Sequence, residues 1–361
     1  MALEVPRSIR GGGTIAKGEG APAAQQPTTG ELLIVGPSWL GDAVMMGALV
    51  LRLKAAQPAR RITVLTPPHL EDLVRRLPGV DATLGNPFAH GALKLGERLR
   101  FGRQLRGWFG AAIVLPHSWK SALMPLFAGI PRRIGFVGEA RYGVLNDARP
   151  LDEAALPRMV DRFSLLAEPR GARMPAATPV PRLTADADAM AATLARLGLT
   201  AGGVALCVGA EYGPAKRWPA AHFAALARAL MAAGRGVWLI GGPGDAPIGA
   251  EVATLAPGAV DLTGKTTLGE AIELIAAAGA VVTNDSGLMH VAAALGRPIV
   301  ALYGSTSPTF TPPLSERAVI LSLDIECSPC FERVCPLGHF RCLNDLAPAR
   351  VLAAVEAQLA G

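Results

Sequence analysis

At 361 residues the chain has room for two ordinary domains. Half of it is hydrophobic and 18% is charged, which excludes disorder of the whole; its mean hydropathy of +0.33 does not signal a membrane span, because charge, Gly or Pro breaks every apolar run before the ~20 residues a span needs. The net charge of +6 fits partners that carry phosphate or carboxylate, and no aromatic-plus-basic module points to nucleic acid.

Residues 1–30 are rich in Gly, Pro and Ala and lack the apolar stretch of a secretory signal. They read as a disordered extension on a cytoplasmic protein. From Glu31 short apolar runs alternate with longer amphipathic stretches. Leu32–Gly36 reads as a strand, Gly41–Ala55 as a helix, Arg61–Thr66 as a strand and His69–Leu77 as a helix. A strand over Ala111–Leu115, a helix near Trp119–Ala128 and a strand over Arg132–Phe136 follow. The Pro-rich stretch from Glu168 to Arg182 reads as a linker. It separates an N-terminal domain over 31–178 from a C-terminal domain over 183–361. The second domain repeats the rhythm: strands Val204–Val208, Gly236–Ile240, Ala280–Thr283 and Ile299–Tyr303, with helices near Ala185–Leu197, Ala220–Ala233, Ala246–Leu255, Leu268–Ala278 and Leu288–Leu295. Uniformly apolar strands between helices make parallel sheets covered on both faces. The expected fold is α/β, two Rossmann-like doubly wound domains facing a central cleft, with ligands at the carboxyl ends of the strands.

Two strand-to-helix junctions carry the strongest chemistry. In Asn284-Asp285-Ser286-Gly287, with His290 one turn on, Asp285 or Ser286 supplies an N-cap and Gly287 admits a ligand close to the backbone. Free N–H groups and the helix dipole there form an anion site; a merely capped helix with a surface histidine is the plain alternative. Lys216-Arg217 follows another strand of the same half and suits a diphosphate, lysine as a point charge and arginine as a fork. A solvated cation pair is the alternative there. Asp245, after Gly241-Gly242-Pro243-Gly244, is placed to bind ribose hydroxyls. No G-x-G-x-x-G follows a strand, which weakens a dehydrogenase reading.

In the first half, Asp42 stands in the loop after the first strand and reads either as a general base or as a helix cap. His117, Ser118, Trp119 and Lys120, with Arg132, Arg133, Arg141 and Tyr142, suit a sugar face and a nearby anion, or form a solvated basic face. Cys327-x2-Cys330-x4-Cys335-x6-Cys342, with His339 inside it, starts with metal-like spacing, for zinc or an iron–sulfur cluster. Free thiols in a structural loop are the favoured reading, and Cys207 belongs to a strand core.

Lys216-Arg217-Trp218-Pro219, the run from Asn284 to Leu295, and Gly304-Ser305-Thr306-Ser307-Pro308 resemble the lipopolysaccharide heptosyltransferases of glycosyltransferase family 9. Gly209–Lys216 together with Cys327–Cys342 looks like the heptosyltransferase II branch. The resemblance runs from about Glu31 to the C-terminus. It implies a GT-B fold and an inverting transfer of L-glycero-D-manno-heptose from ADP-heptose to the first heptose of the inner core, on a Kdo2-lipid A acceptor. By position it implies Asp42 as the base and Lys216 on the donor phosphates. Asp285, Ser286 and Gly287 would form the phosphate-binding turn, helped by Arg217, Asn284 and His290. Asp245 would approach the ribose, and Thr266 and Leu268 the adenine. His117, Ser118, Lys120, Arg141 and Tyr142 would face the acceptor, whose carboxylates and phosphates account for the basic surplus. No D-x-D stands at a strand end, so no metal is expected to be obligatory in the chemistry. The implied partners are ADP-heptose, heptosyl-Kdo2-lipid A and, through that glycolipid, the inner leaflet of the cytoplasmic membrane, with no nucleic acid. The expected place is the cytoplasm, peripheral at the inner-membrane surface. Another family 9 heptosyltransferase, such as heptosyltransferase I, a nucleotide-sugar epimerase and a non-catalytic nucleotide-sugar-binding protein remain the alternatives.

Overall fold

A computed structural model describes residues 31–88, 93–175 and 177–360; the extension expected over residues 1–30 lies outside them. The chain divides into two compact units, the first ending at Pro179 and the second starting at Val180.

The first unit holds β1 (Leu32–Val35), α1 (Leu40–Ala56), β2 (Ile62–Thr66), α2 (Glu71–Arg75), β3 (Ala82–Gly85), α3 (Leu95–Gln104), β4 (Ala111–Val114), α4 (Leu123–Phe127), β5 (Arg132–Phe136), β6 (Asp147–Arg149) and α5 (Met159–Leu165). Its six parallel strands run in the order β3-β2-β1-β4-β5-β6. The central strands are short and apolar, and every residue of β1 and β4 is buried, as helices on both faces of a sheet require. The order reverses between β1 and β4, where Leu32 pairs with Ile62 on one side and Ala111 on the other.

The second unit holds α6 (Ala187–Leu197), β7 (Val204–Cys207), α7 (Ala220–Ala232), β8 (Val237–Ile240), α8 (Ala246–Leu255), β9 (Val260–Asp261), α9 (Leu268–Ala277), β10 (Ala280–Asn284), α10 (Gly287–Ala294), β11 (Ile299–Leu302), β12 (Ala318–Leu321), α11 (Arg341–Asn344) and α12 (Pro348–Ala360). Its parallel order, β12-β11-β10-β7-β8-β9, repeats the first sheet with β7 in the place of β1. The switch point therefore lies between β7 and β10, and open α/β sheets bind ligands at such points. The register pairs Thr283 with Cys207, so Asn284 emerges beside Val208.

The structure departs from expectation at several elements. The helix expected over His69–Leu77 is a 3-10 turn, Pro68–Leu70, running into the five-residue α2. The one near Trp119–Ala128 likewise splits into a 3-10 turn, Trp119–Ala122, and α4, because Pro125 has no N–H to donate and belongs in a first turn. Strands β3, β6, β9 and β12 and helices α3, α5, α11 and α12 were not anticipated. Among the described residues no helix is long and apolar enough to cross a membrane.

The core of the second unit gathers strand residues such as Val204, Leu206, Leu239, Val282 and Val300 with Trp218 and Phe223. Trp218 is fully buried. Its ring meets His222 and Phe223 edge to face at 5.3 and 4.9 Å, and its Nε1 donates to the Leu346 carbonyl at 2.9 Å. The residue that follows the expected cation pair is thus a main anchor of the fold.

Candidate active site

The junction after β10 is built on Asn284, which is fully buried. Its Nδ2 donates to the carbonyls of Val208 (3.0 Å) and Gly209 (3.1 Å), and its Oδ1 accepts the Trp218 N–H at 3.0 Å. These bonds correct the expectation that Asn284 touches a donor. The amide ties the loop after β7 to the end of β10 and so holds Lys216 beside the start of α10.

Asp285 comes next and is 4% exposed. Its Oδ2 accepts Lys216 Nζ at 2.6 Å and Thr306 Oγ1 at 2.5 Å. Lys216 Nζ also lies 4.8 Å from the centroid of the Tyr212 ring, so the ammonium is held from two sides. Thr306 and Tyr212 stood inside motifs quoted from the sequence but were given no role there. The signal for Thr306 was its place just past β11, the strand next to β10. Ser286 occupies the N-cap position of α10 in extended conformation, yet no side chain caps the helix. The expected cap by Asp285 or Ser286 is therefore not made: Asp285 is turned to Lys216, and Ser286 Oγ lies 3.3 Å from Thr283 Oγ1. With no side-chain cap, the amides of the first turn and the positive end of the helix dipole remain for an anion. Arg217 is half-buried, and its Nε is buried without a hydrogen-bond partner among the described residues.

His290 removes the plain alternative of a surface histidine. It is 5% exposed and lies in the interior, not on the surface. Burial pushes its imidazole down to about 4; Asp285 pulls it upward and Lys216 pushes it further down. It is neutral at pH 7 and adds no positive charge to the site. A histidine with an ordinary value of 6.5 when unfolded and about 4 when folded takes up its proton first in the unfolded chain. Its contribution is complete above pH 6.5 and is lost as pH falls toward 4, a penalty of about 3 kcal/mol at full extent. Urea denaturation between pH 7 and pH 4.5 should show His290→Gln with a flatter loss of stability than the parent. Parallel profiles would refute this source of acid sensitivity.

Asp245 stands past β8, half-buried, with Oδ2 accepting the Gly242 N–H at 2.9 Å. A Cβ on Gly209 or Gly241 would run into this side chain, so glycine at both positions lets the carboxylate lie over the ends of β7 and β8. Gly264, at φ 70, packs on Pro243 and brings the following residues beside the Asp245 turn. There Thr266 Oγ1 is buried with no partner among the described residues, while Leu268 is half-buried at the start of α9. Thr267 and Glu270 close a capping box on that helix.

In the first unit Asp42 lies in the first turn of α1, half-buried, not in a loop. Trp39 takes the N-cap position in extended conformation, and an acid in a first turn is favoured by the helix dipole. Past β4, His117 is exposed, Ser118 and Lys120 are half-buried and Tyr142 is 70% exposed. Partial desolvation and the cations of Arg141 and Arg162 hold the His117 imidazole below its ordinary value. Arg141 does not face an acceptor as expected. It is completely buried; its Nη1 donates to the Pro116 carbonyl and its Nη2 to that of Phe136, both at 2.5 Å. Burial lowers it to about 10, so it stays charged and pins the His117 loop from beneath. Arg132 pairs with Asp147 at 3.0 Å, and Arg133 binds the carbonyls of Ile130 and Val144.

The five cysteines are free thiols. Burial raises Cys207, in β7, to about 12. Among the described residues no group of three or more His, Cys, Asp or Glu is drawn together closely enough to hold a metal ion. A recess of about 450 Å3 along α3, lined by Gly96, Leu99, Arg100, Arg103 and Gln104, holds none of the groups described above.

Comparison with known proteins identifies the family. The sequence profile of glycosyltransferase family 9 (heptosyltransferase) matches residues 98–341. The chain is 42% identical over 342 residues to lipopolysaccharide heptosyltransferase 2 of Escherichia coli, covering 91% of this chain and 98% of that protein. It is 44% identical over 307 residues to lipooligosaccharide heptosyltransferase 2 of Haemophilus influenzae, covering 81% and 88%. The solved structure of E. coli ADP-heptose LPS heptosyltransferase II superposes with a TM-score of 0.83 at 41% identity, covering 91% of this chain and 98% of that one. A family 9 glycosyl transferase from Veillonella parvula shares the fold at 21% identity, with a TM-score of 0.79 over 94% of this chain and 99% of that one. Two doubly wound parallel sheets, with this similarity over most of the chain, are those of a glycosyltransferase of the GT-B fold. The chain belongs to glycosyltransferase family 9, the heptosyltransferases.

Proposed function

We propose that this enzyme moves L-glycero-D-manno-heptose from ADP-heptose, with inversion, to the first heptose of the lipopolysaccharide inner core on Kdo2-lipid A. The observation that carries the reading is Lys216 held by Asp285 and Thr306 beside the uncapped start of α10. Departure of ADP builds negative charge on its β-phosphate, and preorganised donors at that point stabilise the transition state more than the ground state. Lys216 supplies the point charge, Arg217 a second cation, and Ser286 and Gly287 the backbone of the turn. Asn284 and His290 support the turn from within. Asp245 takes the ribose, and Thr266 with Leu268 the adenine; the buried hydroxyl of Thr266 gains a partner there. Asp42 takes the proton of the attacking hydroxyl. His117, Ser118, Lys120 and Tyr142 receive the acceptor, with Arg141 fixing their loop. The glycolipid acceptor sets the reaction at the cytoplasmic surface of the inner membrane.

The test is mass spectrometry of purified protein with ADP-heptose and two acceptors, Kdo2-lipid A with and without the first heptose. A gain of one heptose on the heptosylated acceptor supports the proposal. Transfer to the bare acceptor alone, or to neither, overturns it. In the same assay Asp42→Asn should lower transfer by a factor on the order of 10² while ADP affinity holds; an unchanged rate would remove Asp42 from the role of base.

A further inference from the structure

We infer that Tyr212 and Arg333 are positioning residues for Lys216: the loop after β12 grips Tyr212, and the phenol face holds the ammonium where a diphosphate takes it. The inference rests on the donor-site reading above and adds to it two residues that act through the lysine. Asp285 cannot do this alone. Its carboxylate has the sign of a phosphate, so an anion that draws on Lys216 competes with it for the same ammonium. The ring centroid of Tyr212 lies 4.8 Å from Lys216 Nζ, and an aromatic face attracts a cation through its quadrupole, without a formal charge. It therefore keeps its hold whichever anion the ammonium serves. The lysine side chain is 13% exposed, and loss of water strengthens such a contact.

A ring positions a cation only if the ring is itself fixed, and the loop fixes it at three points. Tyr212 Oη donates to the Phe331 carbonyl at 2.6 Å, Arg333 Nε donates to the Tyr212 carbonyl at 2.7 Å, and the Arg333 guanidinium carbon lies 5.4 Å from the ring centroid. The stretch between Tyr212 and Lys216 is drawn against the same loop. Ala215 N donates to the Arg333 carbonyl at 3.1 Å, and a Cβ on Gly213 would run into that carbonyl. Glycine at 213 is what lets the two backbones meet.

The loop also has a footing on the far side of Asp285. Residues 322–340 contain no helix or strand, and an ordered loop of that length in a compact domain is usually functional. Ser328 Oγ donates to the Gly304 carbonyl and Phe331 N to the Ser305 carbonyl, both at 2.6 Å. The next residue, Thr306, is the other donor to Asp285. Phe331 thus holds both sides at once, its N–H on the Thr306 segment and its carbonyl on Tyr212. It does so at φ 57°, a costly conformation for a bulky residue, and its side chain is 47% exposed, so packing of the ring offsets little of that cost. What the conformation secures is the brace between the two segments that meet at Asp285.

The experiment is calorimetry of ADP binding to the full chain, with each variant first shown to be folded by circular dichroism. Tyr212→Leu and Arg333→Ala should each weaken ADP binding about 3–10-fold, the range of one partly desolvated cation–π contact. In a Lys216→Ala background neither should weaken it further, because the residue they act through is gone. Should Lys216→Ala not fold, Lys216→Gln takes its place, since its amide can still donate to Asp285. Tyr212→Phe keeps the face and loses one hold on it, so it should bind ADP more tightly than Tyr212→Leu. Parent affinity in both single variants would overturn the inference. So would a loss of the same factor in both backgrounds, because direct contact with the nucleotide or a general weakening of the fold acts without the lysine. Tyr212→Phe as weak as Tyr212→Leu would remove the ring face from the account and overturn it as well. Unchanged ADP affinity in Lys216→Ala itself would overturn the donor-site reading, and the inference with it.

Discussion

Lys216→Ala is expected to lower the transfer rate by about 10²–10³-fold, the range seen when one preorganised donor to a developing charge is removed. Lys216 Nζ is fixed by Asp285 at 2.6 Å and by the face of Tyr212 at 4.8 Å, so little reorganisation is needed at the moment of bond cleavage. ADP affinity should fall as well, read by calorimetry. The variant should also be less stable, because Asp285, 4% exposed, keeps only the Thr306 hydroxyl among its partners in the described residues. Lys216→Arg separates charge from geometry: it restores the cation but not the compact ammonium that fits between Asp285 and Tyr212. Transfer in Lys216→Ala at the parent rate would show that the leaving group is stabilised elsewhere.

The second large effect is on folding. Trp218→Ala should cost about 3–5 kcal/mol, the usual range for emptying a fully buried aromatic site. The indole is in contact with His222 and Phe223 and donates to the Leu346 carbonyl, so truncation leaves both a cavity and a buried acceptor unpaired. Trp218→Phe should fall between, since it keeps much of the volume and loses the N–H. Urea denaturation of the three proteins decides this; a loss below about 1 kcal/mol in Trp218→Ala would mean that the site collapses without a void.

Strands β1, β4, β7 and β11 were legible because each is an unbroken apolar run buried on both faces. The missed strands obey different rules. β6 is Asp147-Ala148-Arg149, an edge strand whose two polar residues pair with each other, and β9 has two residues, too few for any periodicity. At the site, the two strand-to-helix junctions could be read, but not the direction of each polar side chain. Asn284, His290 and Arg141 belong to types that suit a ligand, and all three point inward. Asn284 and Arg141 spend their hydrogen bonds on backbone carbonyls whose positions only the folded chain defines. Thr306 stood in a quoted motif, but its bond to Asp285 was hidden, because that partner follows a neighbouring strand.

The bond between Lys216 and Asp285 means that the cation already has a tethered anion of its own. A diphosphate bound as proposed above would gain Lys216 by exchange, leaving the Asp285 carboxylate to Thr306 or solvent. Such a built-in competitor would weaken the hold of Lys216 on substrate and spent nucleotide together.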